Sequence, residues 1–213
     1  MKTRQILVIA KMFTLLFAPH YFPLLCMLVL LGFSYMNLFP TNYKIYLLVL
    51  VYLFTIAIPS LLTFLYQKIT GLTRHQMSRR EVRTLPYVFN ILSYYMCCQI
   101  MTSMFVPDFA VSVIFAAMTI LLLCAILNCW YKVSTHSAAA GAVNGVLIAF
   151  SLVFNFNPIW WLCATLIIAG CVGSSRLILR RHSLAEVNMG LLIGLILGIV
   201  SILIWPSVKS LFL

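Results

Sequence analysis

His182 and Glu186 stand four residues apart, one helical turn, so the carboxylate can hold the imidazole by a ring N–H. An imidazole held in this way has one tautomer, and its other nitrogen is free to act as a nucleophile or a proton carrier. Arg176, six residues earlier, supplies a planar and permanently charged donor that can clamp an anion against the ring. All three belong to residues 174–186, SSRLILRRHSLAE, a charged island between two long apolar runs. Ionisable side chains are costly beside hydrocarbon and tend to mark function there.

The rest of the chain is apolar enough to say what must position them. With 64% hydrophobic and 8% charged residues and a mean hydropathy of +1.10, the chain has too little polar surface for a soluble globule of its length. It reads as an integral membrane protein. Only helices and closed barrels satisfy the backbone in lipid, and the apolar stretches are continuous rather than alternating, so the spans are helices.

The net charge of +11 reflects fourteen lysines and arginines against three acids, Glu81, Asp108 and Glu186. Such an excess suits anionic lipids and phosphates. Nucleic acid is a poor partner, because no soluble basic domain exists to carry it. The seven cysteines fall in apolar stretches without metal-ligand spacing and read as small core residues. A metal or haem shared by His136 and His182 lacks further ligands, so no cofactor is expected.

Residues 1–20 read as an interfacial N-terminal segment, and 21–213 as one transmembrane domain of six to seven helices. The expected spans are 21–38, 45–66, 86–106, 109–131, 138–155, 159–172 and 187–205. Polar islands at 67–85, 132–137 and 174–186 alternate with tight turns at Pro40, Pro107-Asp108 and Asn157-Pro158. Two spans separate successive islands, so all three islands lie on one face of the membrane. Gly141 and Gly145 on the fifth span, and Gly190, Gly194 and Gly198 on the last, recur every four residues and predict close contact between those helices. That contact brings His136 towards His182. His20 beside Pro19 reads as interfacial and His75 as solvated, while Trp130, Trp160, Trp161 and Trp205 read as interfacial anchors.

Ser175-Arg176, five residues, His182, three residues and Glu186 together resemble the last signature of the type 2 phosphatidic acid phosphatase superfamily, Ser-Arg-x5-His-x3-Asp. Val133-Ser134-Thr135-His136 is similar to that family's Pro-Ser-Gly-His. Arg79, Arg80, Arg83 and Pro86 resemble its Lys-x6-Arg-Pro, and the resemblance covers residues 67–204. It implies a metal-independent membrane phosphatase working through a phosphohistidine. On that resemblance His182 is the nucleophile, Glu186 orients and polarises it, and His136 protonates the leaving alcohol. Arg176 binds the phosphoryl oxygens, joined by Ser134, Thr135 and neighbouring backbone N–H groups.

The chain departs from the pattern in places. Glu186 stands for aspartate, Thr135 for glycine and Val133 for proline, while Leu85 and Ser78 fall where the first signature has arginine and lysine. Shifted pairings use Arg79 or Arg80 with Arg83, and Lys132 can add a cation near His136; the choice stays open. The expected substrate is a lipid phosphomonoester or diphosphate at the membrane surface. A catalytically silent relative that binds or transports anionic lipid is the alternative. Of the fourteen basic residues, all but Lys44 and Lys209 fall on the site face, which by charge bias is cytoplasmic. The resemblance instead implies the periplasmic face of a bacterial inner membrane, and the expectation follows the resemblance.

Overall fold

The computed structural model describes residues 3–71 and 80–212, with side chains from 5 to 71 and from 84 to 212. The described chain is helical, with no strand among the described residues. In order come α1 (Thr3–Leu16), α2 (Phe22–Phe33), α3 (Thr41–Tyr52), α4 (Ile58–Thr70), α5 (Arg80–Ser103), α6 (Asp108–Leu127), α7 (Thr135–Phe154), α8 (Ile159–Ile178) and α9 (Leu184–Val208). Among the described residues, six stretches are long and apolar enough to cross a membrane: Gln5–Phe33, Thr41–Thr70, Asp108–Leu127, Thr135–Phe154, Ile159–Ile178 and Leu184–Phe212. At about 1.5 Å per residue, twenty residues reach across a hydrocarbon core of about 30 Å. The protein is an all-α polytopic membrane bundle.

Two of the long stretches are broken, each for a local reason. Ala18 is extended and is followed by the 3-10 turn Pro19–Tyr21, so α1 and α2 are separate helices. α1 lies against α8, burying Ala10 and half-burying Phe13, Thr14 and Phe17 on the same face. Between α3 and α4 runs a π turn, Leu53–Ala57, ahead of Pro59. A π turn pairs each N–H with the carbonyl five residues back, and proline has no N–H to offer Phe54. The Phe54 carbonyl instead accepts the Ser93 hydroxyl of α5 over 2.5 Å, so a neighbouring helix satisfies it inside the membrane.

The closest helix pair is α7 with α9. A Cβ on Gly141 or Gly145 would strike the backbone carbonyl of Leu191 or Leu195, and one on Gly194 that of Ala138. On Gly190 it would come within 2.6 Å of the Ser134 carbonyl and on Gly198 within 2.7 Å of that of Ala142. The two glycine rows therefore face each other, as their four-residue spacing predicts.

Some sequence expectations change. Trp205 is 1% exposed and packs against Phe115 and Phe212, so it is core rather than an interfacial anchor. The helix runs past it, and the following turn, Lys209–Phe212, folds Phe212 back over the indole. Trp130 and Trp160 are exposed. Cys97, Cys98 and Cys124 are buried, but Cys129, in the turn after α6, and Cys163, on α8, are exposed rather than core. At the face opposite the islands, the Lys209 ammonium donates to Asp108 Oδ2 over 2.7 Å.

Candidate active site

Ser175 and Arg176 lie in the last turn of α8, so the arginine belongs to the helix rather than to the loop beyond it. Ser175 is buried and its hydroxyl donates to the Cys171 carbonyl over 2.7 Å. The helix then closes on itself. The Arg180 N–H donates to the Leu177 carbonyl over 2.9 Å, and the Arg181 N–H reaches five residues back to Arg176 over 3.1 Å. Arg180 takes a left-handed backbone, φ 50°, in the place where helix ends commonly use glycine. The Lys132 ammonium donates to the Arg181 carbonyl over 3.0 Å and ties the second island to the third.

Ser183 caps α9, its hydroxyl accepting the Glu186 N–H over 3.3 Å. Ser-x-x-Glu is the capping-box pattern, in which the glutamate reaches back to the N–H of the cap residue. Here Glu186 Oε2 lies 2.5 Å from Nδ1 of His182, the residue just before the cap. That leaves Nε2 as the working nitrogen. The His182 side chain is 4% exposed and that of Glu186 19%.

Ser134 caps α7 and is fully buried. Its hydroxyl oxygen accepts the Ser137 N–H over 3.4 Å and the Ser137 hydroxyl over 2.9 Å. The side chain is thus committed to the cap. It fixes the first turn, where the N–H groups of Thr135 and His136 lie at the positive end of the helix dipole. The Ser134 N–H in turn donates to the Glu186 carbonyl over 3.3 Å, joining the two helix starts.

His136 stands within electrostatic reach of Arg176, His182 and His20, and its ring approaches the Thr14 backbone. Its buried Nδ1 makes no hydrogen bond among the described residues. For His182, burial lowers the pKa most, and the Arg176 and Lys132 charges push the same way. The hydrogen bond and charge of Glu186 oppose them, and the balance falls at about 4. The imidazole is therefore neutral at neutral pH, the form that can attack or accept a proton.

Thus His136, Arg176, His182, Glu186, Lys132, Ser134 and Thr135 gather on one face, as the alternation of spans and islands requires. Arg79 lies outside the described residues, as does His75. Arg80 and Arg83 belong to the first turn of α5, and their side chains lie outside the described ones. Among the described residues, no three histidine, cysteine or acidic side chains form a group that could hold a metal ion. His20, expected at the interface, has neighbours that its sequence position alone does not announce. Its imidazole faces the Asn90 amide, and it stands within electrostatic reach of His136. The signal was present in the face count, which puts the start of the second helix level with the islands.

No protein-family model, curated protein or solved structure matches the chain.

Proposed function

We propose that this protein is a membrane-embedded phosphatase that removes phosphate from a lipid phosphomonoester or diphosphate through a phosphohistidine. The observation that carries this reading is the His182 to Glu186 contact at 2.5 Å, with Arg176 and His136 both in electrostatic reach of the same ring. A protein that only bound anionic lipid needs cations but has no use for an oriented, neutral imidazole.

His182 Nε2 attacks phosphorus while the bond to the lipid oxygen breaks, and Glu186 stabilises the imidazolium that forms. Arg176 and the first-turn N–H groups of α7 take the charge on the phosphoryl oxygens. His136 passes a proton from the phosphate monoanion to the leaving alkoxide. In the second half a water attacks phosphorus and loses its proton through His136 to a phosphoryl oxygen, the P–N bond breaks, and phosphate leaves with His182 neutral again. Catalysis rests on positioning and charge, and no metal takes part in any step.

The site belongs, on the motif resemblance, to the periplasmic face of a bacterial inner membrane. A catalytic group at headgroup depth with apolar helices around it suits a substrate whose tail stays in the bilayer. The test is phosphate release by the detergent-purified protein from a panel of lipid phosphates with EDTA present, wild type against His182→Ala. Release by wild type alone supports the reading. Binding without release from any lipid favours a silent, lipid-binding relative.

A further inference from the structure

A cavity of about 450 Å³ opens beside Thr135 at the start of α7, walled also by His20 in the turn ahead of α2, by Ser60, Thr63 and Gln67 of α4 and by Asn90 of α5. Ser60, Thr63 and Gln67 recur at helical spacing and so share one face of α4. Gln67, Asn90 and Thr135 lie towards the island ends of α4, α5 and α7, while Ser60 and Thr63 carry the cavity deeper, into the far half of α4. The volume is that of a ligand pocket and many times the roughly 30 Å³ of one water.

Its wall is more apolar than polar, with Pro59, Phe64, Tyr87 and Leu121 set beside the polar side chains. The described residues that line it include no lysine, arginine, aspartate or glutamate. Asn90 is 5% exposed. Its amide nitrogen donates to the Pro86 carbonyl over 2.6 Å, whereas Oδ1 is buried with no hydrogen-bond partner. His20 faces this amide without closing a hydrogen bond to that oxygen. A buried carbonyl left open is costly unless a ligand or water donor meets it.

Position fixes which part of a substrate the cavity meets. In an in-line displacement the leaving group departs opposite the nucleophile, on the side of the acid that protonates it. Thr135 adjoins His136 in the chain and His20 lies within its reach, so the cavity is on the leaving-group side, away from His182. Resting on the phosphatase reading, we infer that this cavity holds hydroxyl groups next to the scissile ester, with Asn90 Oδ1 accepting one of them. The substrate class is then a lipid phosphate whose leaving group carries free hydroxyls, a glycerol or a sugar, rather than a simple diacylglycerol or polyprenyl phosphate.

A site built to bind a hydroxyl discriminates strongly against an analogue lacking it. The experiment compares kcat/KM of the full-length protein in mixed micelles on phosphatidylglycerol phosphate, on phosphatidic acid with the same acyl chains, and on a polyprenyl phosphate. Wild type is expected to favour the glycerol-bearing lipid by about tenfold or more, and Asn90→Leu to narrow that ratio by about tenfold. Gln67→Leu, on the half-buried wall of the cavity, gives a second reading should Asn90→Leu fail to fold. Phosphate release from all three lipids without preference, or a preference that Gln67→Leu and Asn90→Leu leave intact, overturns the inference while leaving the phosphatase reading standing. Release from none of them overturns both.

Discussion

The Ser134 N–H donates to the Glu186 carbonyl over 3.3 Å, so the start of the helix that carries His136 is bonded to the first turn of the helix whose glutamate holds His182. His136 and His182, the proposed proton donor and nucleophile, are thereby set by one backbone contact between α7 and α9. Anything that parts those helices misplaces both groups together, and small misplacements of reacting groups are expensive in rate.

Gly194→Ala is the direct way to part them. The added methyl meets the Ala138 carbonyl, a backbone atom that cannot swing aside, so α7 must move. The expected cost is about 1–3 kcal/mol of stability with a larger fractional loss of activity. Gly170→Ala is the control, since nothing lies within 4 Å of its new Cβ. Thermal unfolding in detergent, followed with phosphate release on the same samples, separates the two variants. Equal melting temperatures for them would remove the steric account of the glycine rows.

Glu186→Gln keeps the shape of the site and removes the charge that fixes and supports the imidazole. By comparison with other orienting carboxylates, kcat should fall on the order of 10³–10⁴-fold with KM little changed. Glu186→Asp, shorter by one methylene, should recover part of the loss if the carboxylate acts through His182. Full activity in Glu186→Gln would mean that the contact serves the helix cap alone.

The pH dependence carries a sign for each neighbour. His182 titrates at about 4 against an ordinary 6.5, so wild-type activity should survive well below pH 6 before its acid limb falls. Lys132→Met removes a charge that lowers this pKa and should move the limb up. Glu186→Gln removes the group that raises it and should move the limb down. Comparing variants on one substrate cancels the phosphate's own ionisation. Stability follows the same linkage. Between 6.5 and 4 the unfolded chain binds the proton and the folded chain does not, so stability falls as pH drops through that window and levels off below it. His182→Asn should make that slope shallower by the share of this one group.

Much of this arrangement was legible in the sequence because it depends on short periodicities. The four-residue glycine rows named the closest helix pair, and the four-residue step from His182 to Glu186 named the bonded pair. Patterns of that kind are local and survive folding. Residues whose surroundings are made by distant parts of the chain were not legible. Trp205 has the hydropathy of an anchor, and only the return of Phe212 makes it core. His20 meets Asn90 and His136 through packing between α2, α5 and α7, which no spacing encodes. The two serine caps were missed for another reason. Ser134 and Ser183 carry the ordinary cap signal, but a serine near a histidine fits an anion site equally well, and spacing alone does not separate the two roles.

The face of the membrane can be read with a native thiol. Cys129 follows α6 at the island end and is exposed, beside the exposed Trp130. If the site faces the periplasm, a membrane-impermeant maleimide should label Cys129 in intact cells, and Cys129→Ser should remove that label. Labelling confined to inverted vesicles would assign the site to the cytoplasm, in keeping with the charge bias of the chain.

The turn that delivers His182 is itself open to test at Arg180. This residue holds φ 50°, a conformation that costs a residue with a Cβ about 1–2 kcal/mol, and its N–H is bonded to the Leu177 carbonyl. Glycine takes that φ freely but adds freedom to the unfolded chain, which offsets part of the gain. Arg180→Gly should therefore fold with stability within about 1 kcal/mol of wild type and keep its activity, the side chain being exposed and outside the site. Arg180→Pro can neither reach positive φ nor donate to Leu177, so the link from Arg176 to His182 should come apart. Activity should vanish in Arg180→Pro even where the bundle still melts cooperatively in detergent. A fully active proline variant would show that the spacing of Arg176 and His182 does not depend on this turn.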